Sequence, residues 1–165
     1  MTPADFLRHP PDSVVLYPAP VLRRAGETIT DIEPWKQIAP IMFDLMYRFH
    51  GCGLAAPQVG LPYCMFVLDV TRPLVCLNPE IIKTNDRLWT ENEGCLSLPG
   101  LRVPITRSRQ IKIKYLNLDG EEEFATYEGW TGRAIQHETD HCFGKLIIDF
   151  MNEGQENQTK TDTGK

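Results

Sequence analysis

The chain has 165 residues, of which 42% are hydrophobic and 24% are charged, and its net charge is −5. This composition suits one globular domain with its own core. The acidic balance argues against a nucleic-acid binder, which usually presents a basic face. No apolar run is long enough to span a membrane, and the N-terminus lacks the pattern of a secretory signal. We therefore expect a cytoplasmic protein with no membrane or nucleic-acid partner.

The five cysteines are expected to be free thiols, because an odd number without a secretion signal argues against a disulfide framework. Most free cysteines pack as small apolar groups.

The predicted elements begin with an irregular segment at 17–29, which two prolines interrupt. A helix is predicted over 31–51, because its apolar residues recur at three- and four-residue steps and Gly51 is a plausible stop. Pro40 lies inside this pattern, so we expect it either to kink the helix or to begin its main part.

Short strands are predicted in the middle of the chain. The apolar run 64–70 indicates a buried strand, and 74–82 indicates another that is broken at Asn78-Pro79. Residues 109–118 alternate between apolar and charged side chains, and Asp119-Gly120 predicts a hairpin turn to a returning strand at 121–127.

A second helix is predicted from Trp130 through Cys142, with Gly144 as its C-terminal cap. The polar tail 152–165 has no hydrophobic residue, so we expect it to be disordered. The chain therefore divides into one domain at 1–151 and this tail.

The second helix carries the sequence "QHETDH" at 136–141. Residues four apart lie on one helical face, so His137 and His141 can point at a single metal ion. Glu138 follows the first histidine and can reach a metal-bound water, as in the H-E-x-x-H motif. Only four histidines occur in the chain, which makes a chance pairing at this spacing a weak explanation.

A catalytic metal site needs a third protein ligand and one open position. No histidine follows His141, and the downstream carboxylates Asp149, Glu153 and Glu156 lie in or beside the tail. Cys95 is the best upstream candidate, because we expect it in a loop bounded by glycine and proline, where its sulfur would be accessible.

The stretch "GCGLAAPQVG" at 51–60 is rich in small residues, which allow a ligand to approach the backbone closely. Gln58 offers an uncharged amide donor and acceptor beside them. Taken alone, this stretch reads better as a turn between a helix and a strand. No Gly-Lys-Ser/Thr follows, so it is not a phosphate loop.

Together these stretches resemble the peptide deformylase family, whose three motifs are matched in order by "GCGLAAPQ" (51–58), "EGCLS" (93–97) and "QHETDH" (136–141). Weaker similarity extends from 17–23 to 144–151. The resemblance implies an α+β fold in which antiparallel sheets pack around a central metal-binding helix. It also implies hydrolysis of the formyl group from formyl-Met termini of nascent polypeptides, with release of formate.

The resemblance implies a role for each site residue. The metal ligands would be Cys95, His137 and His141, and the ion would be divalent: Fe²⁺ first, with Zn²⁺, Ni²⁺ or Co²⁺ as substitutes. The catalytic residues would be Glu138 as acid and base, with Gln58 and the N–H of Leu96 for the oxyanion. The substrate would contact Gly53, Gly94, Arg102 and Trp130.

Some residues depart from the family pattern. Cys142 replaces a common leucine, and Glu91 and Arg133 make the expected methionine pocket more polar than in many members. The similarity to organellar members leaves an organellar origin open. We expect a monomer that acts on nascent chains, with the ribosome as a possible place of action.

Two other functions fit parts of the pattern. A zinc metallopeptidase shares the helical motif, but it would need a downstream ligand that this chain lacks. A structural zinc site at Cys95, His137 and His141 would lack an obvious fourth ligand, which closed sites generally have.

Overall fold

The structure is a computed structural model that describes residues 1–151. The helices are α1 (Pro3–Arg8), α2 (Glu33–Arg48) and α3 (Gly129–Cys142), and short 3₁₀ turns span Pro20–Arg23 and Ala56–Val59. The strands are β1 (Gly53–Ala55), β2 (Met65–Asp69), β3 (Pro73–Thr84), β4 (Leu88–Cys95), β5 (Leu98–Ser108), β6 (Gln110–Leu116) and β7 (Glu122–Glu128).

The strands form two antiparallel sheets. Five of them lie in the order β1-β2-β3-β6-β7, and β4 and β5 form a separate hairpin. The predicted α+β class with antiparallel sheets is therefore confirmed.

The larger sheet is covered on both faces, and β2 shows how. Met65 and Val67 pack into a core cluster with α2, whereas Phe66 and Leu68 pack into a second cluster with α3. Because both faces of β2 are buried, its sequence reads as a continuous apolar run instead of an alternating one.

The predicted hairpin at 109–127 is also confirmed. Ile111 and Ile113 of β6 are buried against α3, and Lys112 and Lys114 project from the opposite face. Strand β7 returns antiparallel to β6 after the turn at Gly120, whose φ is +80°.

The predicted break at Asn78-Pro79 is wrong, because β3 continues through both residues. Asn78 adopts a φ of +50°, and the register with β6 shifts between Leu77 and Glu80, which marks a bulge. The Asn78 side chain bonds to both backbone polar groups of Ile29, at 2.8 Å each. These bonds stabilise a backbone conformation that the sequence suggested would end the strand.

The first predicted helix is placed correctly, but it ends at Arg48 and not at Gly51. It runs continuously through Pro40, which lies on the exposed face, where the missing amide hydrogen bond is least costly. The N-terminal segment 17–29, predicted as irregular, contains the 3₁₀ turn Pro20–Arg23.

The loop predicted around Cys95 is wrong. Cys95 is the last residue of β4, and only Leu96 and Ser97 separate it from β5. Alternate residues of β4, among them Glu91 and Glu93, are the less exposed ones. Because charged residues occupy the inner face, the strand does not show the hydrophobic alternation that would have predicted it.

All five cysteines are free, as expected. Within residues 1–151, no helix is long and apolar enough to cross a membrane. The predicted disordered tail lies outside the described residues, and the domain boundary at 151 stays a prediction.

The end of α3 provides a test of close packing. Gly144 has a φ of +72°, and a Cβ there would lie 2.6 Å from the backbone oxygen of Arg23. Gly100 has a φ of +79°, but a Cβ there would meet nothing within 4 Å. We expect Gly100→Ala to cost about 1–2 kcal/mol, from the left-handed conformation alone. Gly144→Ala should cost about 1–3 kcal/mol more, because the backbone must also shift.

Urea unfolding of both variants and the parent measures this difference. Equal losses for the two alanine variants would mean that the close contact with Arg23 contributes nothing to stability.

Candidate metal and catalytic site

Helix α3 is the platform of the site. It contacts every strand of the five-stranded sheet and also β5. His137 and His141 lie one turn apart on it, with ring centroids 5.0 Å apart. Because α3 packs against so many strands, both imidazoles project from a rigid support.

Cys95 completes a cluster of potential metal ligands. Its Sγ lies 3.3 Å from Nε2 of His141, and the ligand atoms of Cys95, His137 and His141 all lie within 4.8 Å of one another. One thiolate and two imidazoles make a donor set that suits Fe²⁺, Zn²⁺ and related ions. Three protein donors are also the usual number in a catalytic site, which keeps one position for water or substrate.

The two histidines are held differently. Burial lowers the pKa of His141 well below its ordinary value, so its imidazole is neutral, which is the form that binds metals. Burial also lowers the pKa of His137, but hydrogen bonds with Cys95 and Glu93 outweigh this and raise it well above its ordinary value. An imidazole binds a metal in its neutral form, so a metal at His137 would have to displace a proton.

Glu93 orients the ring of His137 through a hydrogen bond with its Nδ1. Its Oε2 lies 3.0 Å from Nδ1 of His137, which leaves Nε2 of the ring for a metal. Glu93 also accepts hydrogen bonds from Arg107 and Arg133, although it is only 6% exposed. Burial raises the pKa of Glu93, but bonds from His137 and Arg107 and their charges lower it to about 2. Glu93 is therefore a carboxylate at neutral pH.

Glu138 is the second buried carboxyl group beside the cluster. Burial raises its pKa to about 7, and its Oε2 has no hydrogen-bond partner within residues 1–151. On the helix it points about 100° away from His137. A pKa near neutrality and a free oxygen are the properties of a general acid and base.

Gln58 is a polar residue that contacts Cys95. Its Oε1 accepts a hydrogen bond from Ala55 N at 2.9 Å, which fixes the orientation of the amide. Its Nε2 donates to Ser97 Oγ at 3.1 Å and lies 3.6 Å from Cys95 Sγ. The amide therefore presents N–H groups toward the cluster. Leu96 is the first residue of the two-residue turn that follows Cys95.

The residues expected to bind substrate are only partly brought together. Gly53 lies against Glu138, because a Cβ on Gly53 would overlap the Glu138 carboxylate. Gly94 lies beneath Arg102, whose Nε is 3.4 Å from the position of a Gly94 Cβ. Trp130 lies two turns from His137, about 10 Å along α3, so the described contacts do not join it to the cluster.

Sequence reasoning missed the polar residues that support the cluster. Glu93, Arg107 and Ser97 were not predicted, although Glu93 and Ser97 lie within two residues of Cys95. Period-two alternation along β4 would have placed Glu93 on the same face as Glu91. No local signal could have identified Arg107, because it meets Glu93 only across the hairpin.

The chain is similar to known proteins over most of its length. The family model described as "Polypeptide deformylase" matches residues 11–157. The peptide deformylase of Thermotoga maritima is 44% identical over 135 residues, which cover 81% of this chain and 82% of that protein.

Solved structures agree. The crystal structure of the Thermotoga maritima peptide deformylase aligns with a TM-score of 0.81 and 41% identity, covering 82% of this chain and 94% of that one. The peptide deformylase of Synechococcus elongatus in complex with actinonin gives a TM-score of 0.81 and 35% identity, covering 85% and 78%. The match to the family model and these identities show that the chain belongs to the peptide deformylase family.

Proposed function

We propose that the chain removes the N-terminal formyl group of nascent polypeptides with Glu138 as general base, beside a metal ion held by Cys95, His137 and His141. Removal of the formyl group, a metal-dependent hydrolysis, is the activity of the family to which the chain belongs. The observation that carries the residue assignment is the cluster of three ligand atoms with a buried, unpaired carboxylate oxygen next to it.

The ligand set also guides the proposal for the metal. We propose Fe²⁺, with Zn²⁺, Ni²⁺ or Co²⁺ as substitutes, because a mixed thiolate and imidazole set accepts each of these ions. When bound, the ion would act as a Lewis acid that polarises the formyl carbonyl and lowers the pKa of a water molecule. Helix α3 would thus be the metal-binding helix at the centre of the fold.

Glu138 would move the protons of the reaction. Its carboxylate takes a proton from the attacking water and then delivers it to the leaving amine, so formate and a free N-terminus are the products. A group with a pKa near the operating pH can do both. The burial that raises the pKa of Glu138 is therefore part of the chemistry.

Gln58 and Leu96 would stabilise the negative charge that develops on the formyl oxygen. The Gln58 amide is fixed through its own oxygen by Ala55 N, which holds its Nε2 beside the cluster. To donate to the formyl oxygen, Nε2 would exchange its contact with Ser97 Oγ or Cys95 Sγ. The Leu96 N–H would add a second donor from the turn after Cys95. Donors that are held in place near the developing charge are effective, and losing one typically costs about 10²–10³ in rate.

The substrate backbone would bind along β1. In the described sheet β1 is an edge strand, paired only with β2, so its other edge can accept an extended peptide. Gly53 is the β1 residue next to Glu138, which would place the formyl end beside the base. We propose Gly94, Arg102 and Trp130 as further substrate contacts.

The setting of the reaction is part of the proposal. A substrate that is a nascent chain supports action at the ribosome and a location in the cytoplasm. We also propose a monomer.

Cys95→Ala tests the third ligand. We expect the folded variant to lose the metal, or to bind it far more weakly, because two imidazoles would remain. Metal analysis after anaerobic purification measures this, and Cys52→Ala, at an exposed free cysteine, is the matched control. Full occupancy in Cys95→Ala would show that Cys95 is not a ligand.

Glu138→Gln tests the base. The variant keeps the size of the side chain, so the metal should stay, while kcat/KM for a formyl-Met peptide falls by at least about 10²–10⁴. In the parent the rate should decrease as pH falls through the pKa of Glu138, because the base must be deprotonated. A bound cation favours the charged form, so this limb should lie at or below pH of about 7.

Formate release measured from pH 5 to 9 checks both points. A near-normal rate with the metal retained would rule out Glu138 as the base. Loss of the metal would mean that Glu138 supports the site itself.

Gly53→Ala tests whether the site needs a residue without a side chain next to Glu138. The new methyl group would overlap the Glu138 carboxylate, so we expect kcat to fall at least tenfold with metal content unchanged. Formate release and metal analysis measure the two quantities, and Gly100→Ala is the control with open space. An unchanged kcat would show that Gly53 does not define the space beside Glu138.

A further inference from the structure

Arg133 lies on the same face of α3 as the two histidines, one turn before His137. It is 2% exposed, which is unusual for an arginine and requires partners. On sequence grounds it was expected to make the methionine pocket polar. The structure shows a different use for its charge.

The guanidinium group of Arg133 is anchored on three sides. Its Nη1 donates to Glu93 Oε1 at 2.6 Å and to Ile105 O at 3.0 Å, and its Nη2 donates to Trp89 O at 2.8 Å. Its Cζ also lies 4.5 Å from the centre of the Trp89 ring. These contacts fix Arg133 between α3 and the inner face of the β4–β5 hairpin.

Arg133 completes the hydrogen bonding of Glu93. A carboxylate has about four acceptor positions, two on each oxygen. On Oε1 they are occupied by Arg107 Nε and Arg133 Nη1, both at 2.6 Å. On Oε2 they are occupied by Arg107 Nη2 at 2.9 Å and His137 Nδ1 at 3.0 Å. With every position filled, the carboxylate cannot rotate without breaking a bond.

We propose that Arg133 is a positioning residue for the metal site: it locks the Glu93 carboxylate so that His137 keeps the ring orientation needed to bind a metal. The proposal rests on the ligand assignment above. Arg107 alone holds both oxygens, but it leaves one position on Oε1 open to water. Arg133 closes that position and ties the carboxylate to the helix that carries His137.

The charge of Arg133 and its positioning role predict opposite effects on metal binding when Arg133 is removed. Removing a positive charge near a cation would favour metal binding by electrostatics alone. Loosening the group that orients a ligand weakens metal binding, typically by about 10–100-fold. We expect the loss of positioning to dominate, so that metal binding weakens, because the charge of Arg133 is already neutralised by its short pair with Glu93.

The test measures the rate at which Zn²⁺-loaded protein releases its metal to an excess of a chromophoric chelator. We expect Arg133→Met to release Zn²⁺ about 10–100-fold faster than the parent. Arg133→Lys should be intermediate, because an ammonium group can reach Glu93 but cannot fork to all three acceptors. Arg109→Met is the matched control, since Arg109 lies 5.2 Å from the same Trp89 ring and its described contacts do not include Glu93.

Glu93→Gln separates positioning from general destabilisation. If Arg133 acts through Glu93, Arg133→Met should change the release rate less than twofold in a Glu93→Gln background, whereas free energies of unfolding need not follow this pattern. A parent-like or slower release from Arg133→Met and Arg133→Lys would overturn the proposal. So would equal acceleration by Arg109→Met.

If the ligand assignment itself is wrong, the variants will give a different pattern of Zn²⁺ release. If Cys95→Ala and His137→Ala retain Zn²⁺ as the parent does, the site itself is wrong. If both lose Zn²⁺ while Arg133→Met matches the parent, only the positioning role of Arg133 is wrong.

Discussion

The site depends on one buried carboxylate, that of Glu93, which joins the β4–β5 hairpin to helix α3. Cys95 belongs to the hairpin and the histidines belong to the helix, so the three potential ligand atoms meet only if these elements keep their relative position. A buried charge is tolerated only when it is paired and hydrogen-bonded, and Glu93 meets this condition through two arginines and a histidine. Breaking such a pair typically costs about 3–5 kcal/mol, which makes other placements of the hairpin unfavourable.

Around this link, ordinary apolar packing supplies rigidity. The five-stranded sheet is covered by α2 on one face and α3 on the other, and β2 contributes alternate side chains to both clusters. The 3₁₀ turn Ala56–Val59 lies directly after β1 and carries Gln58, whose amide is fixed by the backbone of Ala55. The polar groups of the site are thus attached to strands and helices instead of to long loops, which holds catalytic groups to small tolerances.

The sequence predicted those parts of the molecule that local patterns determine. Helix α3, the β6–β7 hairpin and the buried strand β2 follow from apolar periodicity and turn residues, and the His137/His141 pairing follows from helical spacing. Strand β4 was missed because its inner face carries charged residues. The partners of Glu93 on that face, Arg107, Arg133 and His137, lie 14, 40 and 44 residues away in sequence. The bulge at Asn78 was read as a break because its stabilising partner, Ile29, lies 49 residues away. Local patterns cannot report partners at such separations.

The two buried glutamates beside the cluster have pKa values that are shifted in opposite directions. Both are almost fully buried, and burial alone raises the pKa of each. Glu93 is hydrogen-bonded to Arg107, Arg133 and His137. The bonds and charges of His137 and Arg107 lower its pKa to about 2, and so it is a permanent anion near neutral pH. Glu138 has an oxygen without a partner in the described chain, and its pKa is raised to about 7. A permanent anion can orient a ligand but cannot exchange protons near neutral pH, whereas a group with a pKa near 7 can. The number of donors around each carboxylate therefore suits Glu93 to structural support and Glu138 to the proton transfer that we propose for it.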